Sequence, residues 1–178
     1  MSTLKVSTIS PLGTDSTKTI TIGSPSNGDT AAGVFTNVPA FFVSLGSAQS
    51  IGNSSRTVLQ LDTVDYDTNS LYNTSTYRFT VTSGYAGKYW FGAGSRNNNW
   101  TSNRHILYIT KNGSSFAENE QGSAGSYHSN FLSATIDMAV GDYVSAEFFH
   151  DNGSSKEVSG DFSGTALTFL TGYRLIGA

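Results

Sequence analysis

Gly141-Asp142-Tyr143-Val144-Ser145-Ala146-Glu147-Phe148-Phe149, followed by Asn152-Gly153 and then Asp161-Phe162-Ser163-Gly164, is the stretch whose reading decides the fold. Val144, Ala146 and Phe148 alternate with Tyr143, Ser145 and Glu147, the period of a strand with one buried face. Gly141-Asp142 opens that strand and Asn152-Gly153 turns it. Phe162-Ser163-Gly164 is expected to begin the closing strand.

The same period recurs upstream. Tyr77, Phe79 and Val81 alternate with Arg78, Thr80 and Thr82, and Ala40-Phe41-Phe42-Val43-Ser44-Leu45 reads as a strand stopped by Gly46. Lys88-Tyr89-Trp90-Phe91 and Ile106-Leu107-Tyr108-Ile109 are two more. Asn112-Gly113 is the strongest hairpin signal, because both central positions of a type I′ turn need φ > 0. Turn signals every eight to twelve residues, with no sustained helical period, indicate an all-β sandwich or jelly roll.

Composition agrees. In 178 residues there are 19 glycines and only 3 prolines, beside an unusual load of Ser, Thr and Asn, which suits many turns. The length fits one domain that needs no staples. With no cysteine, disulfides, thiol catalysis and zinc–thiolate sites are excluded. The formal net charge is −3 and the few basic residues are scattered. No footprint for nucleic acid or an anionic membrane follows. Sequons such as Asn53-Ser54-Ser55 and Asn73-Thr74-Ser75 are what so much Ser and Thr produces by chance.

Met1-Ser2-Thr3-Leu4-Lys5 has no apolar signal-peptide core, so synthesis without export is expected. Residues 1–36 read as an arm. Leu4, Val6, Ile9 and Leu12 are thinly spread, Thr19-Ile20-Thr21-Ile22 alternates like one short strand, and Ser24-Pro25-Ser26-Asn27-Gly28-Asp29 is a linker. An arm so poor in apolar residues cannot fold alone. It is expected to be anchored on a partner by strand addition, or else folded back on its own domain.

Four pieces of residues 39–177, in order, resemble the globular head of the complement first component, within the tumour-necrosis-factor-like jelly-roll superfamily. They are Ser70-Leu71-Tyr72-Asn73 with Thr76-Tyr77-Arg78-Phe79-Thr80; Ala86-Gly87-Lys88-Tyr89-Trp90-Phe91, where Ala86 replaces a usual proline; Tyr108-Ile109-Thr110-Lys111-Asn112-Gly113; and Gly141-Asp142-Tyr143-Val144 with Asp161-Phe162-Ser163-Gly164. The resemblance implies an antiparallel sandwich of two five-stranded sheets over residues 37–178, and a homotrimer with aromatics along its axis. Trp90, Phe149 and Tyr143 exceed what one sandwich needs and are the expected trimer aromatics. An arm rich in Ser and Thr, and neither the family's signal peptide nor its collagen-like stalk, is expected ahead of the head. Met1-Ser2-Thr3-Leu4-Lys5-Val6-Ser7-Thr8-Ile9, with Thr19-Ile20-Thr21-Ile22-Gly23, instead resembles the openings of bacteriophage virion proteins, marine phages especially. That implies a virion location, with another virion protein as partner of the arm.

Catalysis finds no support. There is no G-x-S-x-G elbow, P-loop or H-E-x-x-H, and Gly92-Ala93-Gly94 lacks the third glycine of a dinucleotide loop. His105, His128 and His150 fall on separate expected elements without ligand spacing. Asp65, Asp67, Glu118, Glu120, Glu147, Asp151 and Asp161 could pair in any combination, so they single out no glycosidase dyad. No cofactor is expected. Asp65-x-Asp67-x-Asn69 opens like a calcium loop, but Ser70 stands for the glycine and Thr76 for the bidentate glutamate. Calcium is thus left without a complete motif, although the resembled family often holds it in loops near the trimer top.

Recognition of a host surface or glycan would use loops at one end of the sandwich. Asn97-Asn98-Asn99-Trp100 offers amides and an aromatic face, and His150-Asp151-Asn152 is the second candidate loop. The leading expectation is a trimeric knob of a fibre, spike or decoration. A free-standing carbohydrate-binding module is the alternative, and a virion-associated glycan hydrolase the third reading.

Overall fold

The computed structural model describes residues 38–98, 104–122 and 127–175, and every regular element among them is a β-strand. In chain order these are β1 (Ala40–Ser44), β2 (Gln49–Ile51), β3 (Thr57–Val58), β4 (Thr63–Asp67), β5 (Tyr72–Asn73) and β6 (Arg78–Thr80). Then come β7 (Gly87–Asn98), β8 (Arg104–Lys111), β9 (Ser114–Gly122), β10 (Tyr127–Met138), β11 (Tyr143–His150), β12 (Lys156–Val158) and β13 (Phe169–Arg174). The arm residues Leu4, Val6, Ile9, Leu12, Ile20 and Ile22 lie outside the described residues.

The strands form two antiparallel sheets. The front sheet runs β2-β12-β7-β13-β1-β4, with β10 on the other edge of β7, and the back sheet runs β5-β6-β11-β8-β9, with β3 beside β11. Where five strands each were expected, seven and six are found. The excess arises because five of the thirteen strands, β2, β3, β5, β6 and β12, are pieces only two or three residues long. β7 is the spine. β10 pairs with it from Gly87 to Asn98, while β13 covers its other edge from Tyr89 to Gly94 and β12 touches it at Asn97.

Two turns behave differently from one another. Asn112 (φ 53°) and Gly113 (φ 79°) make the expected hairpin turn between β8 and β9. Phe162-Ser163-Gly164, by contrast, does not begin the closing strand. Ser163 (φ 49°) and Gly164 (φ 75°) are both left-handed, and Phe162 and Thr165 exchange backbone hydrogen bonds of 3.0 and 2.9 Å. Two consecutive residues at φ > 0 cannot continue a strand, so this is a tight turn and the closing strand β13 starts at Phe169. Asn152-Gly153 likewise is no hairpin: β11 and β12 lie in different sheets.

The inward sets of both sheets meet in one core. β1 contributes Phe41 and Val43, β7 Tyr89, Phe91 and Ala93, β10 Leu132, Ile136 and Met138, and β13 Leu170. The back sheet answers with Phe79, Leu107, Ile109, Val144, Ala146 and Phe148. Phe41, Phe79, Tyr89 and Phe91 form an aromatic centre, with Phe41 and Phe79 stacked 4.5 Å apart. Truncating any one of these phenylalanines to alanine would cost about 3–5 kcal/mol. Gly172 lets them meet, since a Cβ there would stand 2.6 Å from Phe91 and 3.0 Å from Phe41.

Candidate functional site

Strand alternation puts one residue of each pair on the core and the other on an outer face, and the two outer faces differ. On the front sheet, β7 presents Trp90, Gly92, Gly94 and Arg96 outward. The glycines leave room for rings to lie flat on the sheet. A Cβ on Gly92 would come within 2.6 Å of the Trp90 ring, and one on Gly94 within 2.5 Å of the Phe169 ring. Around this floor the aromatics stack on one another: Phe42 on Phe169 at 5.2 Å and Trp90 on Tyr173 at 5.4 Å, with Phe131 and Tyr66 joining at 6.5 Å. Phe131 remains 55% exposed, Tyr173 46% and Tyr66 45%. A cluster of this size facing water is unusual for a finished surface.

The outer face of the back sheet carries aromatics as well. Among the described residues three of them lie under a cation, while Phe116 on β9 stands alone and 50% exposed. Arg56 lies over Tyr108 at 4.2 Å, Arg78 over Tyr143 at 4.0 Å and Arg104 over Phe149 at 5.3 Å. Arg56 is also paired with Glu147, and Arg104 with Asp151 at 3.2 Å and Glu120 at 3.8 Å. Of the three aromatics expected to line a trimer axis, only Trp90 is on the aromatic face. Tyr143 and Phe149 belong to the opposite sheet and are covered by arginines.

Of the expected recognition residues, Asn97 and His150 turn inward. Asn97 lies within β7 and is wholly buried, with neither amide atom hydrogen bonded. The strand continues through Asn98, while Asn99 and Trp100 lie outside the described residues. His150, the last residue of β11, is wholly buried; its Nε2–H donates to the Ile51 carbonyl at 3.0 Å and its Nδ1 accepts the Asn152 amide at 3.2 Å. Asp151 is held by Arg104. Asn97 and His150 are thus interior groups, Asn152 is half-buried, and the Asn97 segment is strand because β10 pairs with β7 over its whole length.

These residues belong to a polar end of the core. Register sets His150 opposite His105 and His128 opposite Asn97. The His105 and His128 rings are 5.5 Å apart, and His105 Nε2 donates to Asn130 Oδ1 at 3.1 Å. That direction follows because the Asn130 amide nitrogen is spent on the Asn119 carbonyl. Three histidines that look unrelated in sequence share one layer, yet among the described residues no group of three or more potential ligands is arranged to hold a metal ion. Asp67, of the incomplete calcium motif, caps its own turn: Oδ2 accepts the Tyr72 amide at 2.7 Å and Oδ1 that of Asn69 at 3.4 Å. Burial drives the Tyr89 phenol up to about 12 and raises that of Tyr72 as well. Both stay protonated and donate to backbone carbonyls, Tyr89 to Tyr85 and Tyr72 to Leu61.

No family model and no curated protein sequence matches the chain. Solved structures do. The globular domain of a zebrafish complement 1qA protein superposes with a TM-score of 0.55 at 17% identity, covering 78% of this chain and 97% of that one. The fold is that of the complement head and the tumour-necrosis-factor-like proteins. Murine APRIL at pH 5.0 (TM-score 0.59, 11% identity, 78% of this chain and 99% of that one) and an Eiger TNF from S. frugiperda (0.57, 12%, 80% and 95%) share it. At these identities the likeness establishes the complement-head jelly roll as the architecture and carries no residue roles with it. The aromatic face was partly readable from Trp90. The signal for the rest is Gly92 and Gly94, two glycines at outward positions of an otherwise aromatic strand.

Proposed function

We propose that residues 37–178 are the homotrimeric head of a non-enzymatic structural and attachment protein, carried on a virion by residues 1–36. The observation that carries self-association is the front face, where Phe42, Tyr66, Trp90, Phe131, Phe169 and Tyr173 stack and, among the described residues, no cation lies over any of them. Such a face is covered most effectively by the same face of another copy. Resemblance to the complement head supplies the number three. The virion setting rests on a separate feature, the Ser/Thr-rich opening, and on an apolar content too low for residues 1–36 to fold alone.

Light scattering of the full chain tests the first part. A particle of three times the 18.9 kDa chain mass is expected, and a monomer at micromolar concentration removes self-association. For the arm, deleting residues 1–36 should leave a trimer that no longer joins particles; undiminished incorporation would sink the anchor. Release of reducing ends from host polysaccharides would refute the non-enzymatic assignment.

A further inference from the structure

At the Tyr127 end of the front sheet, β12 and the Ser159–Leu167 segment enclose a groove of about 900 Å³, within the range of small-ligand sites. We propose that this groove binds a saccharide bearing a carboxylate. The proposal gives the attachment head a ligand class and so rests on that reading, but it requires only the folded domain, neither trimer nor arm.

Three features of the lining point there together. The first is Arg96. Its guanidinium sits 4.8 Å over the Tyr127 ring, and among the described residues no carboxylate pairs with it, whereas Arg56, Arg104 and Lys111 are each ion-paired. A guanidinium fixed on an aromatic face, with its fork unspent, is pre-organised for a planar anion. Lys156 adds an ammonium donor to the same groove.

Acceptors are the second feature. Glu157 and Asp161 also line the groove. Asp161 takes the Ser44 hydroxyl on Oδ2 at 2.7 Å and leaves Oδ1 without a partner. Asp161 Oδ1 is the acceptor left for a hydroxyl donor, and the negative charge of both carboxylates repels polyphosphate or polysulfate.

The third is Phe162, 70% exposed at the tip of the Phe162–Thr165 turn, across from Tyr127, 64% exposed. An exposed ring on a rigid turn offers a flat apolar surface to the axial C–H face of a sugar. A bare anion leaves Phe162 and Asp161 Oδ1 idle. A neutral sugar leaves the Arg96 fork idle. A carboxylated sugar uses all three.

The experiment titrates the full chain calorimetrically with oligogalacturonate, sialyllactose, carboxyl-reduced oligogalacturonate and a sulfated oligosaccharide. Binding of at least one carboxylated probe is expected, weakened about tenfold or more by carboxyl reduction. Arg96→Gln and Phe162→Ala should each weaken it comparably, with melting temperature and scattering mass unchanged. Equal affinity for the reduced sugar, preference for the sulfated one, indifference to Arg96→Gln, or no binding of any probe overturns the proposal. A monomer that binds the carboxylated sugar retains this site and loses the trimer; a trimer that binds none does the reverse.

Discussion

The two outer faces are built from similar side chains and finished in opposite ways. On the back sheet, Tyr108, Tyr143 and Phe149 each carry an arginine, and two of those arginines are held in turn by carboxylates. That arrangement exposes charge to water and hides the rings beneath it. On the front sheet the rings lie on Gly92 and Gly94 and on each other, and Arg96 over Tyr127, at the groove end, is the one cation–π pair recorded there. Aromatic content alone does not mark an interface. What separates the two faces is that the front rings stack on one another as a cluster, whereas on the back sheet three rings lie under arginines and Phe116 is exposed by itself.

The largest effect should come from placing a charge on each face in turn. Phe131→Asp inserts a carboxylate into the stacked front cluster, where it would be desolvated without a partner on association. Dissociation should rise at least about 100-fold, read as a shift from trimer to monomer in a scattering dilution series. Phe149→Asp on the back face should leave the oligomer intact. If both variants dissociate, or neither does, the distinction between the faces is broken.

Glycines sharpen the same comparison at a smaller scale. Gly172→Ala drives a methyl against Phe91 and the Trp90 carbonyl inside the core, at 2.6 and 2.9 Å, and overpacking of that kind costs about 1–3 kcal/mol. Its melting temperature should fall. Gly94→Ala meets only the edge of the Phe169 ring, at 2.5 Å, and that ring can swing toward solvent. Here the melting temperature should hold while trimer affinity drops, because the flat floor is lost. Arg78→Ala, which uncovers Tyr143 on the back face, should cost under about 1 kcal/mol in denaturant titration and leave association unchanged.

Much of this fold was legible in the sequence, and the limits follow one physical line. Period-two alternation identifies Phe79, Val81, Val144, Ala146 and Phe148 as inward-facing, since that depends only on neighbours in the chain. Tyr77, expected to share their face, is instead left-handed (φ 57°) in the turn before β6. Alternation says nothing about which sheet a strand joins. Trp90 and Phe149 therefore look alike in sequence and end on opposite faces. The Asn112-Gly113 turn was readable from its backbone demand. Ser163-Gly164 makes the same demand, yet beside the aromatic Phe162 it reads in sequence as a strand start. Asn97 looks like loop because it is polar; pairing with β10 decides otherwise, and that partner is distant in sequence. The groove shares this origin, assembled from β7, β10, β12 and the turn after it, as does the histidine layer.

The smallest effect concerns the turn that opens β11, where charge finishing on the back sheet can be titrated. Asp142 Oδ2 accepts Lys111 Nζ at 2.8 Å and the Ala139 amide at 2.8 Å, and Oδ1 accepts the Asn112 side-chain amide at 2.8 Å. Hydrogen bonds from Lys111 and Asn112, then from Ala139, pull its carboxyl down to about 2 from an ordinary 3.8. A carboxylate whose folded value is depressed stabilises the fold above its unfolded value, and that contribution fades as pH falls through the folded one. Wild type should therefore melt above Asp142→Asn at neutral pH by a small margin. The margin should hold down to about pH 5, narrow below about pH 4 and vanish near pH 2. A margin independent of pH would assign the effect to the shape of the turn rather than to its charge, and the back face would then owe less to ion pairing than its arginines imply.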